Sequence, residues 1–161
     1  MTGEILLQIV MAMIGALGFG LLFHISGSRL ITIMLGAAVN WGVYLLAMQW
    51  YDNRVTAFFV ATLATAALDE VLARLLKAPV ITLLVPMLVP LIPGGNLYYT
   101  MSHLVLGEGA EFNVYLRLVL WEASSIALGV MAVVSVVHLI QQLGSYWAKQ
   151  SKEHKIGRST E

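Results

Sequence analysis

The chain has 161 residues, 59% of them hydrophobic and only 11% charged, with a mean hydropathy of +0.83. An average soluble domain carries roughly 25% charged residues, so water is excluded as the solvent for most of this chain and lipid is expected instead. Nine basic residues balance nine acidic ones and cysteine is absent, which removes a basic field for nucleic acid, a disulfide framework, thiolate metal sites and a cysteine nucleophile.

A spanning helix needs about 20 mostly apolar residues, and the first such run is Ile5 to Phe23. Thr2-Gly3-Glu4 before it carries no Lys or Arg, which makes a poor secretory signal, and no cleavage is expected. The polar break His24-Ile25-Ser26-Gly27-Ser28-Arg29 leads to a second span, Leu30 to Met48. Gln49-Trp50-Tyr51-Asp52-Asn53-Arg54 leads to a third, Val55 to Ala73. Trp50 and Tyr51 stand at a span end, as Trp147 does later, where aromatic anchors belong.

All four prolines, Pro79, Pro86, Pro90 and Pro93, fall in the next region, followed at once by Gly94-Gly95. Each proline removes an amide donor and clashes with the carbonyl a turn back. The expectation is therefore a broken fourth span over 80–107, with half-segments Val80 to Ile92 and Asn96 to Leu106. Lipid does not tolerate such a break on an exposed face, so it must be buried in protein or line a polar cavity. The loop Glu108-Gly109-Ala110-Glu111 precedes a fifth span, Val114 to Leu143, and a basic tail over 149–161 completes the chain, a frayed helix end that anchors on anionic lipid. The fold class is thus an all-α integral membrane protein of about five helices, one transmembrane domain over 1–148 with the cytoplasmic tail behind it.

Orientation follows from the basic residues. If the broken region crosses once, Arg29, Arg74, Lys77, Lys149, Lys152, Lys155 and Arg158 share one side. Arg54 lies on the other side, with Arg117 just inside the outer end of the last helix. This places the N-terminus outside and the C-terminus inside. An odd number of spans also lets a unit pair with a partner of opposite orientation around a midplane site.

At Ala73-Arg74-Leu75-Leu76-Lys77-Ala78-Pro79 and at Leu84-Val85-Pro86-Met87-Leu88-Val89-Pro90-Leu91-Ile92-Pro93-Gly94-Gly95-Asn96-Leu97-Tyr98-Tyr99, the chain resembles the small-subunit half of the threonine/serine exporter family. The family pattern has an Ala-Arg-x-x-Lys-x-Pro approach to a Pro-rich segment that ends in Pro-Gly-Gly and an aromatic. Met87 departs from it, since the pattern has Gly there. The resemblance implies a five-span exporter subunit that acts with a larger multi-span chain. Its implied substrates are threonine and serine, or succinate for some two-chain members. Its implied home is the plasma membrane, in a bacterium the inner one, and no cofactor is implied.

The candidate substrate pathway comprises Pro86, Pro90, Pro93, Gly94, Gly95, Asn96, Tyr98, Tyr99 and Asn40. A helix interruption frees amides at Gly94, Gly95 and Asn96 that suit a carboxylate, although a packing kink is the plainer alternative. Glu122 lies inside the fifth span, where a carboxylate is expensive and by default functional. It is a candidate for ion coupling, for a structural pair with Arg117 or a neighbouring helix, or for a carboxyl kept neutral by burial. Glu70 and Arg74 have the i,i+4 spacing of a surface pair. Asp69 points about 100° away from Glu70 on the same helix, has no such partner and is the second candidate for ion coupling. Asn40 is expected to bond between helices.

His103, Glu108 and Glu111 lack the spacing of a metal site, and a solvated mouth is the better reading; no metal is expected. His24 and His138 are expected as interfacial anchors. Small residues at four-residue spacing let helix backbones approach closely: Ala12, Ala16 and Gly20; Ala38 and Gly42; Ala57, Ala61 and Thr65; Ser125 and Gly129. Packing within the chain is their expected use. An intramembrane enzyme is disfavoured, because no Gly-x-Ser-x-Gly, His-Glu-x-x-His or paired acidic motif occurs. A non-transporting assembly subunit is the remaining alternative, and only the broken span argues against it.

Overall fold

The computed structural model describes the backbone of residues 2–157 and the side chains of residues 3–143. The described chain is helical throughout, with short connections. Helix α1 is Thr2–Leu22, α2 is Ser28–Tyr51, α3 is Arg54–Leu75 and α4 is Val80–Leu88. A 3-10 turn over Val89–Leu91 follows, then α5, Gly94–Leu106, and α6, Gly109–Gly157. Four helices are long and apolar enough to cross a membrane, and α4 with α5 makes a fifth if the bent pair is one span. The lipid-anchoring expectations for the basic tail and for Trp147 lie outside the described side chains.

The hairpin between α2 and α3 is built from two residues. Asp52 takes a left-handed conformation at φ 45° and returns its amide to the Met48 carbonyl at 3.3 Å. Asn53 then caps α3, its Oδ1 accepting from the amides of Val55 at 2.9 Å and Thr56 at 3.5 Å. Two otherwise orphaned amides are satisfied in this way.

Two apolar clusters hold the bundle. One joins Ala16, Ile33, Ala37, Ala73, Leu83 and Met87; the other joins Tyr44, Ala47, Ala57, Phe58, Ala61 and Leu91. Helices α2 and α3 form the centre, and α4 lies against both. The small-residue stripes of α1 (Ala12, Ala16, Gly20) and α3 (Ala57, Ala61, Thr65) are buried. So are Ser125 and Gly129 of α6, where a side chain at Gly129 would meet Thr62 at 2.9 Å. On α2 the expectation needs correcting. Ala38 and Gly42 are only half-buried, and the close face is Gly36, Ala37 and Asn40, because Met87 fills the space that a side chain on Gly36 would need.

The Pro-rich region shows how the helix is broken. Pro90 has no amide for the Pro86 carbonyl, and the chain tightens instead: Val89 N–H donates to Pro86 and Ile92 N–H to Val89. Such i→i−3 bonds keep the turn paired where the α-helix cannot continue. The second half begins at Gly94, two residues before the expected Asn96, with Pro93 in the capping position. Glycine loses little there, since a first-turn residue has no intrahelical amide bond to keep. The axes of the two halves differ by 62°.

The last loop is shorter than expected. Gly107, at φ 74°, closes α5, and α6 already starts at Gly109, with Glu111 in its first turn. Gly109, Ala110 and Glu111 are therefore helix, not loop; an acidic residue in a first turn complements the helix dipole. Helices α3 and α6 run parallel, with Arg54 beside Glu122, Thr62 beside Gly129, and Glu70 across one groove from Val137. Gly109 precedes Glu122 by nearly four turns, so α6 extends about 20 Å past the start of α3. Helix α5 folds back along this extension and packs chiefly on α6.

Candidate functional site

The fold brings three elements together at the break. Glu122 of α6 is 1% exposed. Asn96, in the first turn of α5, donates its Nδ2 to both carboxylate oxygens, at 2.9 and 2.8 Å. Arg54, the first residue of α3, places its Nε 3.4 Å from Glu122 Oε1, with 53% of its own side chain exposed. Two neighbouring bonds brace the junction: Ser125 Oγ donates to the Val55 carbonyl at 2.6 Å, and Thr100 Oγ1 to the Asn96 carbonyl at 2.7 Å. The buried carboxylate thus has a cation and an amide donor, which a charge at this depth requires.

Of the two structural pairings expected for Glu122, the one with a neighbouring helix is present, through Arg54 of α3, while Arg117 is exposed on α6. Sequence alone does not mark Arg54 as part of a site. It closes a loop and lies far from Glu122 along the chain, so no helical spacing links them.

Beside this cluster lies the Pro-Gly-Gly break. Gly94 N–H reaches the Ile92 carbonyl at 2.7 Å, and Leu97 is the first residue to bond back to Pro93, at 2.9 Å. The amides of Gly95 and Asn96 head the helix with no carbonyl behind them, and a helix start of this kind attracts anions. Gly94 and Gly95 are exposed on this chain. Enclosure within the chain is therefore not what the fold provides. The reason is the 62° bend, which carries α5 off the bundle.

Other candidates divide among separate places. Asn40, fully buried, donates its Nδ2 to the Met87 carbonyl at 2.8 Å and so ties α2 to α4. In the 3-10 turn that follows Met87, amides reach back three residues rather than four, and Pro90, whose amide would then meet Met87, has none, which leaves this carbonyl free for a side chain. Pro86 is buried nearby on α4, while Pro90 and Pro93 are half-buried. Tyr98 and Tyr99 are exposed on α5. Tyr99 stacks on Tyr115 at 5.2 Å, Tyr115 stacks on His103 at 5.2 Å, and His103 Nδ1 meets Glu108 Oε2 at 2.5 Å. They form an aromatic ladder along the α5–α6 hairpin, separate from the break. Among the described residues no three potential metal ligands gather.

On α3, Glu70 and Arg74 pair at 3.2 Å as their spacing requires. They face a groove of about 330 Å³ between α3 and α6 that is walled mainly by Ala and Val side chains. Asp69 is turned away from this pair and is 0% exposed. Neither of its carboxylate oxygens has a hydrogen-bond partner.

Long apolar helices with a bent helix pair and ionisable groups buried among them define a multi-pass membrane protein. Residues 8–136 match the family model described as Threonine/Serine exporter, ThrE, and the chain belongs to that family. Its role is of the membrane-exporter type, and the family is not an enzyme class. Comparison with curated proteins and with solved structures finds no match.

Proposed function

We propose that this chain is one half of a two-chain exporter of threonine, serine or a related small carboxylate such as succinate. It acts with a larger multi-span subunit in the plasma membrane, the inner membrane in a bacterium. The observation that carries this reading is the exposed Gly94-Gly95 break set against the buried Glu122. Irregular backbone at membrane depth must be covered by protein or line a polar cavity. This chain leaves it uncovered, so the cover comes from the partner, and the substrate passes between them.

Chemically, the free amides of Gly95 and Asn96 and the half-exposed Arg54 supply positive potential for a substrate carboxylate. Glu122, buried behind Asn96 and Arg54, holds these two side chains at the break. Pro86, Pro90 and Pro93 shape the bend, Asn40 fixes α4 below it, and Tyr98 and Tyr99 offer hydroxyls along the way out. The α4–α5 pair is read as one broken crossing, with the N-terminus outside and the C-terminus inside, a reading that the distribution of basic residues supports.

The test is efflux of labelled threonine and labelled succinate from exporter-deficient cells that express this chain alone or with the candidate larger chain. Efflux is expected only with both, and the label that moves names the substrate class. Gly94→Val with Gly95→Val should abolish efflux while the complex still assembles. Full efflux in that variant removes the break from the pathway. If both chains reach the membrane and neither label moves, the assembly-subunit reading replaces this one.

A further inference from the structure

Among the described residues two acids lie buried in the bundle, and the structure gives them opposite surroundings. Glu122 is held by Asn96 and Arg54. Asp69 is fully buried with neither carboxylate oxygen bonded. Its own face of α3 is Thr62, Thr65, Ala66 and Ala73, all buried. The two threonine hydroxyls are already committed, Thr62 to the Phe58 carbonyl and Thr65 to the Ala61 carbonyl, each at 2.8 Å.

Among the described residues, no cation reaches Asp69 from the elements packed on α3, and Lys77, in the connection to α4, is exposed. On α2, Arg29 is exposed at the first turn, and Tyr44 has its ring against Phe58, three turns of α3 away. Helix α4 carries no titratable residue. On α6, Glu122 is bonded elsewhere and His138 is exposed. On α3 itself, Glu70 is paired with Arg74 and Arg54 lies at the far end.

An ionised carboxylate buried without a donor or cation costs several kcal/mol after relaxation, whereas a neutral carboxyl costs far less. A sodium ion in its place needs a shell of oxygens, and the surroundings of α4 and Ala73 are apolar. From this burial without partners we infer that Asp69 is the proton-carrying group of this chain, neutral whenever the bundle is closed as seen here. The step is simple. A proton from water adds to one carboxylate oxygen, and the same proton returns to water, with no other bond changed.

Coupling follows from packing. The neutral acid can be enclosed by α2 and α4, while the anion needs water and holds that face open. Proton occupancy therefore decides whether the bundle closes. This deepens the exporter reading above and rests on it for the transport cycle, but the protonation state itself is a property of this chain.

The test uses infrared spectroscopy of the full chain in lipid vesicles, with aspartate alone labelled with ¹³C. The chain has two aspartates, Asp52 and Asp69, and Asp52 is exposed, so a protonated carboxyl band shifted by the label at neutral pH reports Asp69. The band should be present, disappear at alkaline pH, ignore sodium, and be missing in Asp69→Asn but kept in Glu122→Gln. Labelled aspartates that show carboxylate bands alone, or bands that respond to sodium and not to pH, overturn the proposal.

A second arm places both subunits in vesicles. A pH gradient should drive threonine efflux in the wild type, while Asp69→Asn should exchange threonine without following the gradient. Gradient-driven efflux by Asp69→Asn also overturns the proposal. Absence of all threonine movement in the wild type counts against the exporter reading, and leaves the infrared result to decide the proton site.

Discussion

Asn96→Ala is the sharpest probe of the junction at the break. The wild-type amide bonds both oxygens of a carboxylate that is 1% exposed. Hydrogen bonds to a charged group are each worth about 1.5–3 kcal/mol, and a single Nδ2 serves both oxygens here, so the pair is counted as one strong bond. Removing it leaves Glu122 with Arg54 alone, at 3.4 Å and from a side chain 53% exposed. Solvent screens such a partner, and a pair of this kind contributes about 0–1 kcal/mol. The variant should therefore lose about 2–3 kcal/mol of unfolding stability, and Arg54→Ala about 1 kcal/mol or less. Asn96→Leu with Glu122→Leu should recover most of the loss, because it removes the buried charge together with its donor. Reversible unfolding of the purified chain in mixed micelles, followed by far-ultraviolet circular dichroism, measures all three. A larger loss for Arg54→Ala than for Asn96→Ala would refute the assignment of Asn96 as the main support of Glu122.

Two further outcomes are expected. Met87→Ala opens a cavity beside Gly36 and should cost about 2–5 kcal/mol. Gly36→Ala places its methyl where Met87 now lies, so it should destabilise the wild type yet improve the Met87→Ala background, with a coupling of about 0.5–3 kcal/mol in a double-mutant cycle; simple additivity would show that the two residues do not share the space. The chain has no cysteine, so single cysteines report orientation directly: an impermeant thiol reagent should label Glu108→Cys in intact cells and Lys77→Cys only after permeabilisation. The reverse pattern would invert the proposed orientation.

The all-helical fold and its long apolar helices were legible in the sequence because helix ends are written locally. Asp52-Asn53 marks a hairpin, and Pro90 stops an α-helix wherever it occurs. The phase of each helix was not legible. Ala38 and Gly42 have the same spacing as the buried stripes, yet Gly36, Ala37 and Asn40 make the contact. Lipid is as apolar as the interior, so no polar face on α2 shows which side is inward. The start of α6 was placed late because Glu111 reads equally well as a loop acid or as a first-turn residue. The site was half visible. Glu122 stood out by its depth, but Arg54 and Asn96 meet it only through tertiary folding, and Asn96 is 26 residues away. Asp69 was recognisable as unpaired within its own helix; that no described residue of another helix supplies a partner needed the fold.

The bend between α4 and α5 also constrains how the protein is made. Val80–Leu91 and Gly94–Leu106 are each about 20 Å long, against an apolar slab of about 30 Å. Neither piece leaves the insertion machinery as a self-sufficient span. Within this chain the pair is held in place only once α6 has been synthesised and Glu122 has engaged Asn96. Assembly is thereby timed by the last helix, and a chain truncated before it would offer cellular proteases an unfinished fourth segment.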